Sequence, residues 1–321
     1  MSVPDTVRLA ASGFGVDLVT AEVTAALLAA RVPSILLKGP ALTTWLYRGD
    51  EARLYGDTDL LVRAADWERA IAILVELGFE DDRAPLAHPR MESGASHPWV
   101  RPRDGAAVDL HQTVFGVGAE PEQLWAALSA GAVPGLVGGE EVLMPSFPAR
   151  LLHVSLHAVQ HGGAVPSKPM LDLERALAGA PEETWREAAE LAARLRAAGT
   201  FAAGLRLLPA GRELAAAIGC ADAQGAEATL RVGGVPLAEG FRDLAEAPGL
   251  RARLEILGRE LAPSPAFMRW WTPLARHGVP GLAAAYVWRW LWLASRALPG
   301  YRAWRRAVRQ PGDAVMGLRE E

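Results

Sequence analysis

Cysteine and lysine are nearly missing from this sequence, and each shortage excludes something. The one cysteine, Cys220, allows no disulfide within the chain and no Cys-x-x-Cys zinc site, and it agrees with a reducing compartment. The first residues, MSVPDTVRLAASGFG, lack the basic segment and apolar run of a secretory signal, so a cytoplasmic address is expected. A membrane span is not expected either. The most apolar stretch near the C-terminus is interrupted by Arg289 and Arg296, short of the roughly 20 residues that a spanning helix needs. Lysine occurs only at Lys38 and Lys168 among 33 basic residues. An ammonium and a guanidinium differ wherever a compact point charge must approach a phosphate, so these two positions are candidates for function.

What is present describes a folded chain. Half of the 321 residues are hydrophobic and 22% are charged, which suits one large or two ordinary globular domains. The net charge of -4 is unevenly spread: residues 250–310 hold eleven arginines against Glu255 and Glu260. The rest of the chain is therefore distinctly acidic.

Periodicity divides the sequence into two kinds of segment. Residues 17–31 carry apolar positions at helical spacing and stop before Pro33. Ser34 to Lys38 reads as a short buried strand, ended by Gly39-Pro40, with a helix entered through the proline. A second strand is expected at 57–62, followed by a helix from Trp67 capped by Asp66 and closed at Gly78. Residues 97–102 and 106–112 flank Asp104-Gly105, a hairpin turn signal. The Gly-rich 131–139 and the Gly-x-Gly at 13–15 lack the context of a phosphate loop and read as loops. Beyond residue 145 the pattern is helical, at 147–161, 169–179, 183–218 and 281–297. The fold class expected is α+β, with a mixed-sheet domain at 1–145 and a helical domain at 146–321.

Strand alternation sends Asp57 and Asp59 to one side and Thr58, Leu60 and Val62 to the other. Two adjacent carboxylates repel each other unless a cation sits between them, and Mg²⁺ suits oxygen donors of this kind. Asp109 and His111 share a face of the later strand, so a third carboxylate can join from a neighbour. The alternative is that all of these are exposed positions of half-buried strands.

The wider string, ILLKGPALTTWLYRGDEARLYGDTDLLV followed by a helix, LGFE and then VDLH, resembles the uncharacterised nucleotidyltransferase family of the polymerase-beta nucleotidyltransferase superfamily. The similarity continues more loosely through LLHVSLHAVQHGG and KPMLDLERAL to the Trp/Arg-rich end. The resemblance implies a polymerase-beta-type catalytic sheet with a helical domain closing its cleft. It also implies Asp57, Asp59 and Asp109 as catalytic metal ligands for one or two Mg²⁺ ions, and Gly39 in the turn that meets the nucleotide phosphates. The superfamily's usual Gly-Ser is Gly39-Pro40 here, which removes an N–H and a hydroxyl and leaves charge at Lys38 to compensate. Arg53 and Lys168 are further candidates for contact with a nucleoside triphosphate. Arg53 could equally flank the acidic strand in a salt bridge, and Lys168 could pair with Asp172 one helical turn on. The implied reaction is nucleotidyl transfer, with Asp109 helping to deprotonate the acceptor. The acceptor is left open among a small molecule, a peptide, a protein and an RNA end. A non-catalytic module that binds nucleotide or a partner on the same fold is the competing reading.

Two further features have more than one explanation. His153, His157 and His161 form a helical stripe that could bind zinc, line the site or simply pack. Six of the eleven tryptophans lie in the C-terminal third beside its arginines. That region suits helix packing with arginines reaching outward, or contact with a membrane surface, a partner or nucleic acid.

Overall fold

The computed structural model describes residues 5–47, 53–82, 96–162 and 167–309. Residues 48–52 of the string discussed above lie outside that set. The chain is α+β, and its described residues divide into two compact units, one running to residue 223 and the other beginning at residue 224.

The first unit is built on a seven-stranded mixed sheet of order β3-β4-β5-β2-β1-β7-β6. The strands are β1 (Ser34–Leu36), β2 (Thr58–Val62), β3 (Glu80–Asp81), β4 (Ser96–Arg101), β5 (Ala106–His111), β6 (Val133–Val137) and β7 (Glu140–Met144). Alternation along the central strands sorts their side chains into two cores. Leu36, Leu60, Val62, Val108 and Leu110 meet Val23 and Leu27 of α1 (Asp5–Ala29) and Ala70 and Leu74 of α3 (Trp67–Glu76). Ile35, Leu37 and Leu61 face the opposite way, with Leu42 of α2 (Pro40–Leu46), Leu124 of α4 (Pro121–Ser129) and Leu151 of α5 (Phe147–Gln160). That second core continues through α6 (Lys168–Gly179), α7 (Glu182–Arg194), α8 (Ala198–Arg206) and α9 (Pro209–Ala217). The change of pattern at residue 145 is thus a change of secondary structure, while the compact unit runs on to residue 223.

Several local expectations are met and others are corrected. The β4–β5 hairpin forms around Asp104-Gly105, with Val100 opposite Ala107 and Arg101 opposite Ala106. Residues 131–139 are not a loop. Val137 pairs with Glu140 across Gly138-Gly139, whose φ values of 56° and 92° give the left-handed backbone that a tight hairpin turn requires. The Gly-x-Gly at 13–15 lies within α1. Asp66 makes no side-chain cap; its carboxylate is held instead by Arg63 at 2.5 Å and Arg69 at 3.0 Å. The helical stretch 183–218 is three helices, broken where Arg196 adopts φ 53° and again before Pro209.

The described part of the second unit is helical: α10 (Ala226–Gly233), α11 (Ala238–Glu246), α12 (Gly249–Leu261), α13 (Pro265–Trp271) and α14 (Gly278–Arg309). Not every arginine reaches outward. Arg289 is 2% exposed, pairs with Glu260 at 2.7 Å and lies over the rings of Phe267 and Trp271. Trp270, Trp288 and Trp290 are exposed. Among the described residues no helix is long and apolar enough to cross a membrane.

Candidate active site

Three of the site's side chains come together because β2 and β5 are parallel neighbours in one register. Asp59 lies opposite Asp109, and Leu61 opposite His111. Period-2 geometry then places Asp59, Asp109 and His111 on one face, and their ligand-capable atoms lie within 4.8 Å of one another. Asp57, one residue before β2, is half-buried and stands beside this cluster rather than in it. His111 joins Asp59 and Asp109 on this face, on a signal present in the sequence, its position two residues after Asp109.

Asp59 is 2% exposed and does not stand alone. Lys38 Nζ lies 2.6 Å from its Oδ1, and His111 Nε2 lies 3.1 Å from the same oxygen. Burial alone would raise the pKa of Asp59; the Lys38 ammonium and the His111 contact override it and hold the carboxyl well below its ordinary range. Asp109 is displaced the other way, by burial and then by repulsion from Asp59. Burial works against the Lys38 ammonium, but the surrounding Asp59, Asp57 and Asp109 more than offset it and raise its pKa. Two carboxylates of opposite tendency and an imidazole whose Nδ1 is buried without a hydrogen bond form a donor set that fits a divalent cation.

The turn after β1 carries Lys38 to this cluster. Leu37 N donates to Asp59 O at 2.9 Å, extending the sheet by one step and fixing the base of the lysine. Gly39 then adopts φ 59°, a left-handed backbone that favours glycine, while a Cβ there would meet the Tyr55 ring only in ordinary contact at 3.4 Å. Pro40 opens α2 without an N–H, and Ala41 N is turned back to Lys38 O at 3.3 Å. The turn thus offers few backbone donors, which leaves positive charge to Lys38.

Residues 53–57, leading into β2, are strapped to α6 and α1. Arg53 donates to both carboxylate oxygens of Asp172, through Nε at 3.0 and 3.1 Å and through its terminal nitrogen at 2.8 Å. Tyr47 donates its hydroxyl to the same Asp172 at 2.6 Å, and the guanidinium of Arg175 lies 4.1 Å from the centre of the Tyr47 ring. Arg53 is therefore not an open guanidinium; its side chain is 2% exposed and anchored. Lys168 is exposed and donates to Leu54 O at 3.1 Å rather than pairing with Asp172. Tyr55, which sequence reasoning did not single out, donates to Asp17 of α1 at 2.7 Å.

The histidine stripe lies on α5 and its end. His157 is 6% exposed, and buried nitrogens of His153 and His157 make no hydrogen bond among the described residues. Burial and then Lys38 push the pKa of His153 down to about 3, and the same two causes hold His157 far below its ordinary value. Both rings are neutral at neutral pH. Among the described residues the stripe forms no three-ligand metal cluster, so the zinc reading has no support in the geometry.

No curated protein matches this chain significantly. Among solved structures, the antibiotic-resistance factor ANT(2'')-Ia is 17% identical, over 58% of this chain and 95% of that one, with a TM-score of 0.41. The lincosamide antibiotic adenylyltransferase LnuA, in its lincomycin-bound form, is 15% identical over 46% and 88%, with a TM-score of 0.31. The family described as uncharacterised nucleotidyltransferase matches residues 14–210, a span that holds the sheet, the three aspartates, Lys38 and α6. By that match over more than half of its length, the chain belongs to the uncharacterised nucleotidyltransferase family.

Proposed function

We propose that this protein is a Mg²⁺-dependent nucleotidyltransferase that moves an NMP group from an NTP to a hydroxyl or phosphate acceptor and releases pyrophosphate. The observation that carries the reading is the meeting of Asp59, Asp109 and His111 on one sheet face, directly beside the Lys38-Gly39 turn. In this reading Asp59 and Asp109 would hold the metal, Asp57 beside them would add a further carboxylate, and His111, within reach of the same ion, orients Asp59 through its contact at 3.1 Å. A divalent ion bound there neutralises triphosphate charge and lowers the pKa of an acceptor hydroxyl. Asp109 stands on the acceptor side of the cluster in this reading and helps to take the acceptor proton. Lys38 and Lys168 supply charge to the phosphates, Gly39 lets the backbone come close to them, and Arg53 positions Asp57 by anchoring the segment before it.

Calorimetry with ATP, GTP, CTP and UTP, in Mg²⁺ and in EDTA, tests the reading. Replacing Asp57 and Asp59 together by asparagine is expected to abolish the metal-dependent part of binding. Asp109→Asn should retain nucleotide affinity and lose turnover of labelled nucleotide. Equal binding in EDTA, in Mg²⁺ and in the double variant would leave a nucleotide- or partner-binding module instead.

A further inference from the structure

We propose that Lys38 is a tethered cation that occupies Asp59 until a nucleotide triphosphate draws its ammonium away, so that metal binding and nucleotide binding are linked through one side chain. The proposal rests on the nucleotidyltransferase reading and assigns within it a role that the metal ligands and the phosphate turn do not fill.

The geometry is a competition for one atom. Oδ1 of Asp59 receives Lys38 Nζ at 2.6 Å, and Asp59 is also the buried carboxylate of the cluster that a divalent ion would enter. An ammonium in contact with that oxygen occupies a coordination position and repels any incoming dication. The surroundings favour this arrangement when no metal is bound: Asp57, Asp59 and Asp109 form a concentration of negative charge around the lysine.

The same side chain is built to leave. Its base is rigid, fixed by the Leu37 to Asp59 backbone bond and by the positive φ of Gly39. Its stem is the flexible four-carbon chain of lysine, and the side chain keeps 15% exposure where its partner keeps 2%. A triphosphate arriving at the turn presents oxygens of greater negative charge than one shared carboxylate, and a lysine can follow them without moving its backbone. A guanidinium would pair with Asp59 as a planar fork and hold it, which gives a reason for an ammonium at this position in a chain with only one other lysine among its 33 basic residues. Neither neighbouring cation pairs with Asp59: Arg53 is anchored on Asp172, and Lys168 donates to Leu54 O.

The test uses the full chain and Mn²⁺ alone, with free ion followed by electron paramagnetic resonance in the absence of nucleotide. Lys38→Met should bind Mn²⁺ at least tenfold more tightly than the wild type. Arg63→Met removes one positive charge just beyond β2, where it pairs with Asp66, without freeing Asp59, and should change affinity less than threefold. Asp59→Asn should lose the site in either background. In EDTA, Lys38→Met should bind a non-hydrolysable ATP analogue at least fivefold more weakly than the wild type. Equal Mn²⁺ affinity in wild type and Lys38→Met overturns the proposal, as does an equal gain in Arg63→Met, which would reduce the effect to net charge. Thermal melts accompany each variant, and Lys38→Gln repeats the measurement if Lys38→Met does not fold; failure of both would make Lys38 a structural residue and overturn the proposal. Absence of Mn²⁺ binding in every variant, with and without the analogue, would instead overturn the nucleotidyltransferase reading.

Discussion

Replacing Asp172 with alanine withdraws a buried carboxylate from the Tyr47 hydroxyl and from two nitrogens of Arg53 at once. The side chains of Arg53 and Asp172 are 2% and 1% exposed, so the abandoned guanidinium has little water to turn to. Removing one partner of such a pair costs about 3–5 kcal/mol, because the other charge stays buried and uncompensated. The Tyr47 hydroxyl, also left without its acceptor, adds about 1 kcal/mol. We therefore expect Asp172→Ala to destabilise the sheet unit by about 4 kcal/mol or more. The pair Arg186–Glu182, 49% and 53% exposed on α7, is the control: Glu182→Ala should cost only about 0.5 kcal/mol. Removing both charges in Arg53→Met/Asp172→Leu should recover most of the loss, leaving a coupling of at least about 2 kcal/mol in a double-mutant cycle. Hydrogen exchange of the full chain in increasing urea, read on peptides from β1, β2 and β5, reports the stability of this unit separately from the other. A loss under about 1 kcal/mol for Asp172→Ala, or additivity of the single variants, would refute the anchor.

Acid should weaken the same unit early. His153, with its pKa pushed down to about 3, and His157, held far below its ordinary value, stay neutral when folded but take up protons near pH 6.5 when unfolded. The unfolded chain then binds more protons, so stability falls as pH drops below about 6.5, by up to about 1.4 kcal/mol per pH unit for each ring. Urea titrations at pH 7, 6 and 5 should show a shallower decline in His153→Leu, and identical slopes would count against a ring that stays neutral in the folded chain. Gly39→Ala forces a side chain onto a backbone at φ 59° and should cost about 2 kcal/mol; an unchanged melting temperature would contradict the strain.

Much of the site was legible from residue order because strand alternation is local. The side of β2 that Asp59 takes, the Asp109 and His111 face, the glycine turn after β1 and the hairpin at Asp104-Gly105 each follow from a few adjacent residues. The Gly138-Gly139 hairpin was equally local, but glycine between strands and glycine in a loop have the same composition, and only the ladder from Val133 to Met144 separates them. Helix breaks at Arg196 and before Pro209 were masked by continuous Ala/Leu/Arg periodicity.

Sequence by itself determined the fold class, the strand faces and the family, because propensity, alternation and motif order are carried by neighbouring residues. Tertiary structure decided which charges meet. Asp59 lies opposite Asp109 only because β5 pairs in parallel with β2, and His111 enters the cluster by that same register. Arg53 is bound to Asp172, 119 positions away, so a guanidinium that sequence offered to phosphate becomes an anchor. Lys38 touches Asp59 because one backbone bond from Leu37 to Asp59 prolongs the β1–β2 pairing to the edge of the turn. Each of these contacts joins segments far apart in the chain. Their energies depend on burial and distance, which strand pairing and helix packing set and residue order alone does not contain.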